Sequence, residues 1–147
     1  MNHLCSYDAT INPEFEVIGP TPEGLRINVY ITGGEVSGAK LNGGIRPVGA
    51  DWLTIRPDGI GLLNVRTTME TDDGALIYLA YQGVAELGED GYERFVQGNP
   101  PTRFPLKCAA RLLCSDPAYQ WVNRLQCINI GEADLQSSIV SYKVYAL

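Results

Sequence analysis

The chain contains a single histidine, His3. That scarcity argues against a histidine-based metal centre and against a Ser-His-Asp hydrolase, because each needs an imidazole beside the reacting atom. Positive charge is also short. Eleven Lys and Arg against 17 Asp and Glu leave a formal net charge of −6. The surface therefore lacks the cations that phosphate neutralisation demands, and no nucleic-acid partner is expected. No run of about 18 apolar residues is present, so no membrane span is expected. The opening residues, MNHLCSYDATINPEFEV, show no basic segment followed by an apolar one. That predicts no secretory signal and a soluble, cytoplasmic protein. Four cysteines, Cys5, Cys108, Cys114 and Cys127, fall in no C-x-x-C or other metal-binding spacing. In a reducing compartment they are expected to be small buried hydrophobes. Chemistry is left to carboxylates, tyrosines, arginines or thiols, with no metal and no other cofactor.

Helical periodicity is nearly missing as well. One helical turn is predicted at SDPAYQW, where Ser115 or Asp116 caps a turn begun by Pro117. The rest is short runs of β-branched and aromatic residues between glycine-rich turns. EFEVIG, LRINVYITG, EVSGAKLNG, ADWLTIR, GLLNVRTTMET, ALIYLAYQGV, FPLKCAARLL, WVNRLQCINIG and SSIVSYKVYAL read as eight or nine strands. TDDGA, Thr71 to Ala75, reads as a tight hairpin. AELGEDGYERFVQGNPPTR, Ala85 to Arg103, reads as a long loop or lid. With no helix to cover a sheet, such strands close on themselves or form a sandwich. At 147 residues one domain is expected, 1–147.

Alternation separates the faces of each strand. Leu63, Val65, Thr67 and Met69 oppose Asn64, Arg66, Thr68 and Glu70; Ile77, Leu79 and Tyr81 oppose Leu76, Tyr78, Ala80 and Gln82; Tyr142 and Val144 oppose Ser141, Lys143 and Tyr145. The polar faces carry so many aromatics and arginines that a partly polar interior is expected. The fold predicted is all-β, a single closed antiparallel barrel of about 8–10 strands with a small-molecule cavity. A packed sandwich is the alternative.

Three blocks, VIGPTPEGLRINVYITGGEVSGAKLNGGIRPVGADW, RPDGIGLLNVRTTMETDDGALIYLAYQGV and SDPAYQWVNRLQCINIGE, with the ending YKVYAL, resemble domain-of-unknown-function family 3237. They stand in that family's order over nearly the whole chain. Asp51, Trp52, Arg66, Asp73, Gly74, Tyr78, Tyr119, Trp121, Asn123 and Arg124 occupy its pattern positions. Asn64, Lys107, Leu113 and Cys114 depart from it, exchanging polar or acidic types for neutral ones at Leu113 and Cys114, which implies a more apolar cavity. The resemblance implies a small antiparallel barrel that commonly self-associates, hence a homo-oligomer. Most members have no assigned activity, but some fungal members look like cofactor-free cyclases of polyketide-type secondary metabolism. These close an oxygen heterocycle by adding a hydroxyl across a prenyl alkene (intramolecular hydroalkoxylation).

Against that background Asp51 and Arg66 are the candidate catalytic residues. A carboxyl against an apolar wall has its charged form disfavoured and becomes an acid near neutral pH; a cavity arginine would instead lower its pKa and bind a phenolate. Trp52, Tyr78, Tyr81, Arg56, Leu113, Trp121 and Asn123 are the candidate substrate-binding residues. The aromatic rings are expected to shape the pocket and steady a developing cation. Asp72 and Asp73 read as turn residues, and Tyr119, Tyr142 and Tyr145 as core tyrosines able to donate to a ligand. The ligand expected is a small hydrophobic aromatic or prenylated molecule. The alternative function is a barrel that binds or carries such a ligand without transforming it.

Overall fold

A computed structural model describes all residues, Met1–Leu147. Ten strands form one sheet: β1 (Asn2–Ile11), β2 (Glu16–Thr21), β3 (Gly24–Ser37), β4 (Gly43–Ile45), β5 (Ala50–Ile55), β6 (Ile60–Thr71), β7 (Leu76–Glu86), β8 (Arg103–Cys114), β9 (Cys127–Asp134) and β10 (Ile139–Ala146). Neighbours along the sheet run β1-β10-β9-β8-β7-β6-β4-β3-β2, β5 bridges β3 and β6, and β1 pairs β3 to close the ring. The result is a closed eight-strand antiparallel barrel with two extra strands, as expected from the strand pattern. No helix is long and apolar enough to cross a membrane.

Closure depends on the first strand, β1, which was not among the strands expected from the sequence. β1 pairs β10 from Asn2–Ala146 to Thr10–Ile139, and β3 from Ser6–Ser37 to Ile11–Ile31. β3 is one strand of 14 residues where two were expected. It stays continuous because Gly33 and Gly34 bend it at φ +148° and +152°. At Gly34 a Cβ would lie 2.2 Å from the Asp8 carbonyl oxygen, so only glycine lets β1 approach this closely.

Inward faces follow the period of two. Leu63, Val65 and Met69 on β6, Ile77, Leu79 and Tyr81 on β7, and Tyr142 and Val144 on β10 are buried. Their alternates Arg66, Tyr78 and Lys143 are exposed. The polar faces are thus the outer ones, which corrects the expectation that they line the interior. One end of the barrel is filled by Leu41, Met69, Ile77, Leu112 and Val122. Val122 comes from the 3-10 helix Pro117–Arg124, whose N-cap Asp116 accepts from the Ala118 N–H. This helix is longer than the turn expected. Residues 121–124 therefore end a helix rather than begin a strand, and β9 starts only at Cys127. The opposite end is covered by the segment after β7, which holds a short helix, α1 (Gly91–Val96).

Candidate active site

Asp51 lies on β5 opposite Val29 of β3 and Val65 of β6. Opposed residues of an antiparallel pair share a face, so Asp51 points into the barrel beside two valines. It borders a cavity of about 70 Å³ whose 19 lining residues are hydrophobic with Asp51 the one exception. The walls come from Val29, Ile31, Leu53, Leu63, Val65 and Leu106, and the mouth from Phe15, Phe95 and Phe104. Phe95 is carried by α1 and meets Phe104 edge-on at 6.5 Å between ring centroids.

A local irregularity holds the carboxyl in place. β5 and β6 pair at Asp51–Val65 and again at Thr54–Leu62 in the same register, leaving a gap between. Inside that gap the Asn64 backbone N–H donates to Asp51 Oδ1 at 2.9 Å. The side chain thus takes a bond that the ladder leaves free. No protein group donates to the second oxygen, Oδ2. Burial pushes the Asp51 carboxyl up from 3.8 to about 7, against the opposing pull of the Asn64 N–H and the more distant Arg26 charge. Asp51 is half-buried and borders the cavity, and its burial there disfavours the anion.

Below Asp51 the barrel holds a cluster of phenols. Tyr81 stands in the same inner row, opposite Val65, and Tyr142 packs edge-on against it at 5.2 Å. Both line the cavity. Tyr142 shares a hydrogen bond of 3.6 Å with Cys108 Sγ. Tyr7 lies 5.3 Å from Tyr142 and its hydroxyl accepts from Asn129 Nδ2 at 3.3 Å, while Asn129 Oδ1 is buried without a partner. Burial raises the pKa of Tyr81, and the nearby Asp51 charge adds to the rise. Burial likewise raises Tyr7 and Tyr142 and pushes the Cys108 thiol up to about 11. All four are neutral at physiological pH.

The other expected site residues fall elsewhere. Arg66 is on the outer face of β6 between the inward Val65 and Thr67, so it reaches neither Asp51 nor the cavity. Arg56 is exposed and ion-paired with Asp58 in the β5–β6 turn. Trp52 follows Asp51 and therefore points the opposite way, half-buried on the outer face and edge-on to Tyr30 at 6.1 Å. Tyr78 and Leu113 are paired on the outer face and are 42% and 47% exposed. With Asn123 they edge a shallow outer groove, distinct from the cavity. The exchange at Leu113 consequently leaves the cavity's polarity untouched. Asn123 is structural, its side chain accepting from the Cys114 N–H at 2.7 Å and donating to the Cys114 carbonyl at 2.9 Å. Trp121 sits half-buried on the 3-10 helix with Lys40 Nζ 5.6 Å from its ring. Asp73 receives hydrogen bonds from the hydroxyls of Thr71 and Tyr119 and so ties the hairpin to that helix. Of the catalytic and substrate-binding candidates, only Asp51 and Tyr81 meet in the cavity, where Tyr142, expected as a core tyrosine able to donate to a ligand, joins them. Phe15, Phe95, Phe104, Tyr7 and Asn129 were not anticipated. For Asn129 the signal was present, since the alternation of CINIG puts it on the face of the inward Cys127.

The family model described as a protein of unknown function, DUF3237, matches residues 1–147. A Rhodopseudomonas palustris protein named UPF0311 protein is 32% identical over 117 residues, covering 78% of this chain and 75% of that one. Among solved structures, a β-barrel-like protein from Acinetobacter baumannii superposes with a TM-score of 0.84 at 29% identity, covering 99% of this chain and 93% of that one. A protein of unknown function from Clostridium acetobutylicum gives 0.86 at 25%, covering 99% and 96%. An enzyme from Penicillium herquei gives 0.70 at 16%, covering 98% and 92%, and shares the fold.

Proposed function

The chain belongs to the DUF3237 family of proteins of unknown function, and from that premise we propose that its barrel is a cofactor-independent isomerase or cyclase for a hydrophobic substrate, with Asp51 as the proton donor. The observation that carries this reading is a lone carboxyl, pushed up to about 7, in a cavity otherwise lined by hydrophobic residues. Groups of that kind are poised to give and take a proton at neutral pH. In the specific form proposed, Asp51 protonates the alkene of a prenylated phenol and the substrate's hydroxyl attacks the resulting tertiary cation. The hydroxyl proton then returns to the carboxylate. One O–H and one C=C are lost, one C–H and one C–O are formed, and no atom enters or leaves. The faces of Phe15, Phe95 and Phe104 at the mouth would steady the cation, taking the part first assigned to Trp52 and Tyr78. The walls would hold hydroxyl and alkene in contact. That the same fold serves an enzyme in Penicillium herquei is consistent with this use of the barrel.

Size adds a condition. A cavity of about 150 Å³ holds benzene, so about 70 Å³ admits no prenylated phenol while the mouth is shut. Entry needs the α1 segment to swing aside. The test is incubation of the pure protein with prenylated phenols in D2O with nothing added. An isomeric product carrying one non-exchangeable deuterium is expected. Asp51→Asn keeps the acceptor for the Asn64 N–H, and should fold but lose about 10²- to 10⁴-fold in rate. A folded Asp51→Asn protein with wild-type turnover would refute the acid role. Binding of the phenols without product would favour the carrier.

A further inference from the structure

We infer that a second copy of this chain docks on the outer face of β6–β9, presenting to it the opposite, acidic side of its own barrel. The face gathers cations on a molecule otherwise short of them. Arg66 stands opposite Ala80 of β7, which stands opposite Arg111 of β8. Four residues further along β7, Val84 stands opposite Lys107, and Lys107 opposite Ile130 of β9. All three cations are exposed and none makes an ion pair. No acid stands on the strand segments between the Tyr78–Leu113 pair and the Val84–Lys107 pair. Leu62, Tyr78, Val84, Leu113 and Ile130 add large exposed apolar side chains. Arginine, tyrosine and aliphatic groups with no acid among them are the composition of a surface that binds a partner.

Charge decides which partner. Two such faces packed symmetrically would set the cations against their own copies, an arrangement that like-charge repulsion disfavours. The complement stands on the chain itself. β1 and β3 lie across the ring from β7 and β8. There Asp8 and Glu35 are directly opposed across β1 and β3, a like-charge pair that weakens the sheet as it stands. With Asp72 they line a polar groove on the outside of the barrel. All three are exposed and in no ion pair, and Lys143, on the neighbouring β10, pairs with none of them. An arginine fork from a neighbouring copy would find carboxylates in this groove and relieve the repulsion between Asp8 and Glu35. Because the two faces lie on opposite sides, the contact is head-to-tail and builds an open row. Strands about 4.8 Å apart and about 3.4 Å per residue make the basic face on the order of 15 by 20 Å. That is small for a permanent interface, so the association is reversible. Both faces lie along the barrel wall and leave the lidded end free, so the contact is independent of the reaction proposed above.

Sedimentation velocity of the wild-type protein should show a mass that climbs with concentration. Raising salt to about 0.5 M should weaken the association about tenfold, since every charge pair in the contact is screened. Two charge-reversed proteins then test the faces. Arg66→Glu/Arg111→Glu carries two acidic faces, and Asp8→Lys/Glu35→Lys carries two basic ones. Each alone should stay monomeric where the wild type associates, and an equimolar mixture of the two should associate again. A wild-type protein monomeric throughout, a reversed protein that associates as well as the wild type, or a mixture no heavier than its parts would each overturn the inference. All four positions are exposed, so the variants should fold. Should one fail to, the neutral pairs Arg66→Gln/Arg111→Gln and Asp8→Asn/Glu35→Gln should each weaken association about tenfold, and either one leaving it unchanged refutes the contact.

Discussion

Asp51 contributes to stability with a sign opposite to that of most carboxylates. Its folded pKa of about 7 lies above the ordinary 3.8, so between those values the native state binds more protons than the unfolded chain. Stability contributed by this group is fully present below about pH 4 and is lost as pH rises to about 7. The shift of roughly three units corresponds to at most about 4 kcal/mol. Asp51→Asn removes the titration. The difference in unfolding free energy between variant and wild type should therefore grow in the variant's favour from pH 4 to 7 and level off above. Urea denaturation at several pH values measures it, and parallel curves for the two proteins would show that the carboxyl ionises freely. The same group illustrates what a sequence exposes at this scale. ADW marked a residue that faces the cavity, but its neighbour was assigned to the same pocket although successive strand residues point to opposite faces. Arg66 and Tyr78 were misplaced for a related reason. Aromatics and arginines on a polar face were taken as a sign of a partly polar interior, whereas more than half of a protein's surface is apolar and aromatics suit any strand position; Leu113 was assigned to the cavity through the family resemblance alone.

At the scale of elements, the lid is rooted where two turns touch. Gly59, in the β5–β6 turn at φ +86°, would place a Cβ 1.8 Å from the Gly88 carbonyl oxygen. Its own carbonyl accepts from the Leu87 N–H at 3.0 Å. Leu87 lines the cavity, and Gly88 opens the segment that carries Phe95. Gly74 offers a control, for at φ +90° it has no atom within 4 Å of a Cβ. Gly74→Ala should cost only the left-handed backbone penalty of about 1–2 kcal/mol. Gly59→Ala should cost more and should speed hydrogen exchange at Leu87 and through α1, which Gly74→Ala leaves alone. Equal costs, or unchanged exchange in the lid, would separate the lid from this turn. Strand positions were largely legible because period-two alternation and Gly-rich turns are local signals. The lid was legible as a segment but not as a helix, since one turn and a half at Gly91–Val96 is too short for periodicity to register. The merger of two strands into β3 was hidden in Gly33-Gly34, which reads as a turn in isolation and becomes a bend only when β1 lies against it.

For the whole molecule, closure is the property on which cavity and lid both depend. β1 is the strand that a sequence pattern could not place, because its partners, β3 and β10, are remote in sequence and register is set by the ring as a whole. The same pairing brings Asn2 opposite Ala146, so the two chain ends lie together. The ring should therefore tolerate having its ends joined and a new break made at an exposed tip. Pro22 and Glu23 at the β2–β3 turn are exposed and provide one. A permutant with a short linker from Leu147 to Met1, beginning at Glu23 and ending at Pro22, leaves every strand pair intact. It should unfold cooperatively within about 2 kcal/mol of the wild type, since lengthening or relocating a loop changes closure entropy only slightly. Deleting residues 1–11 instead removes the buried Cys5, Tyr7, Ala9 and Ile11 and bares the edges of β3 and β10. That chain should fail to unfold cooperatively and should aggregate through its open edges. Circular dichroism with urea denaturation distinguishes the two. A cooperative deletion variant would mean that the remaining strands close without β1, and an unfolded permutant that the order of synthesis, not the ring, sets the fold.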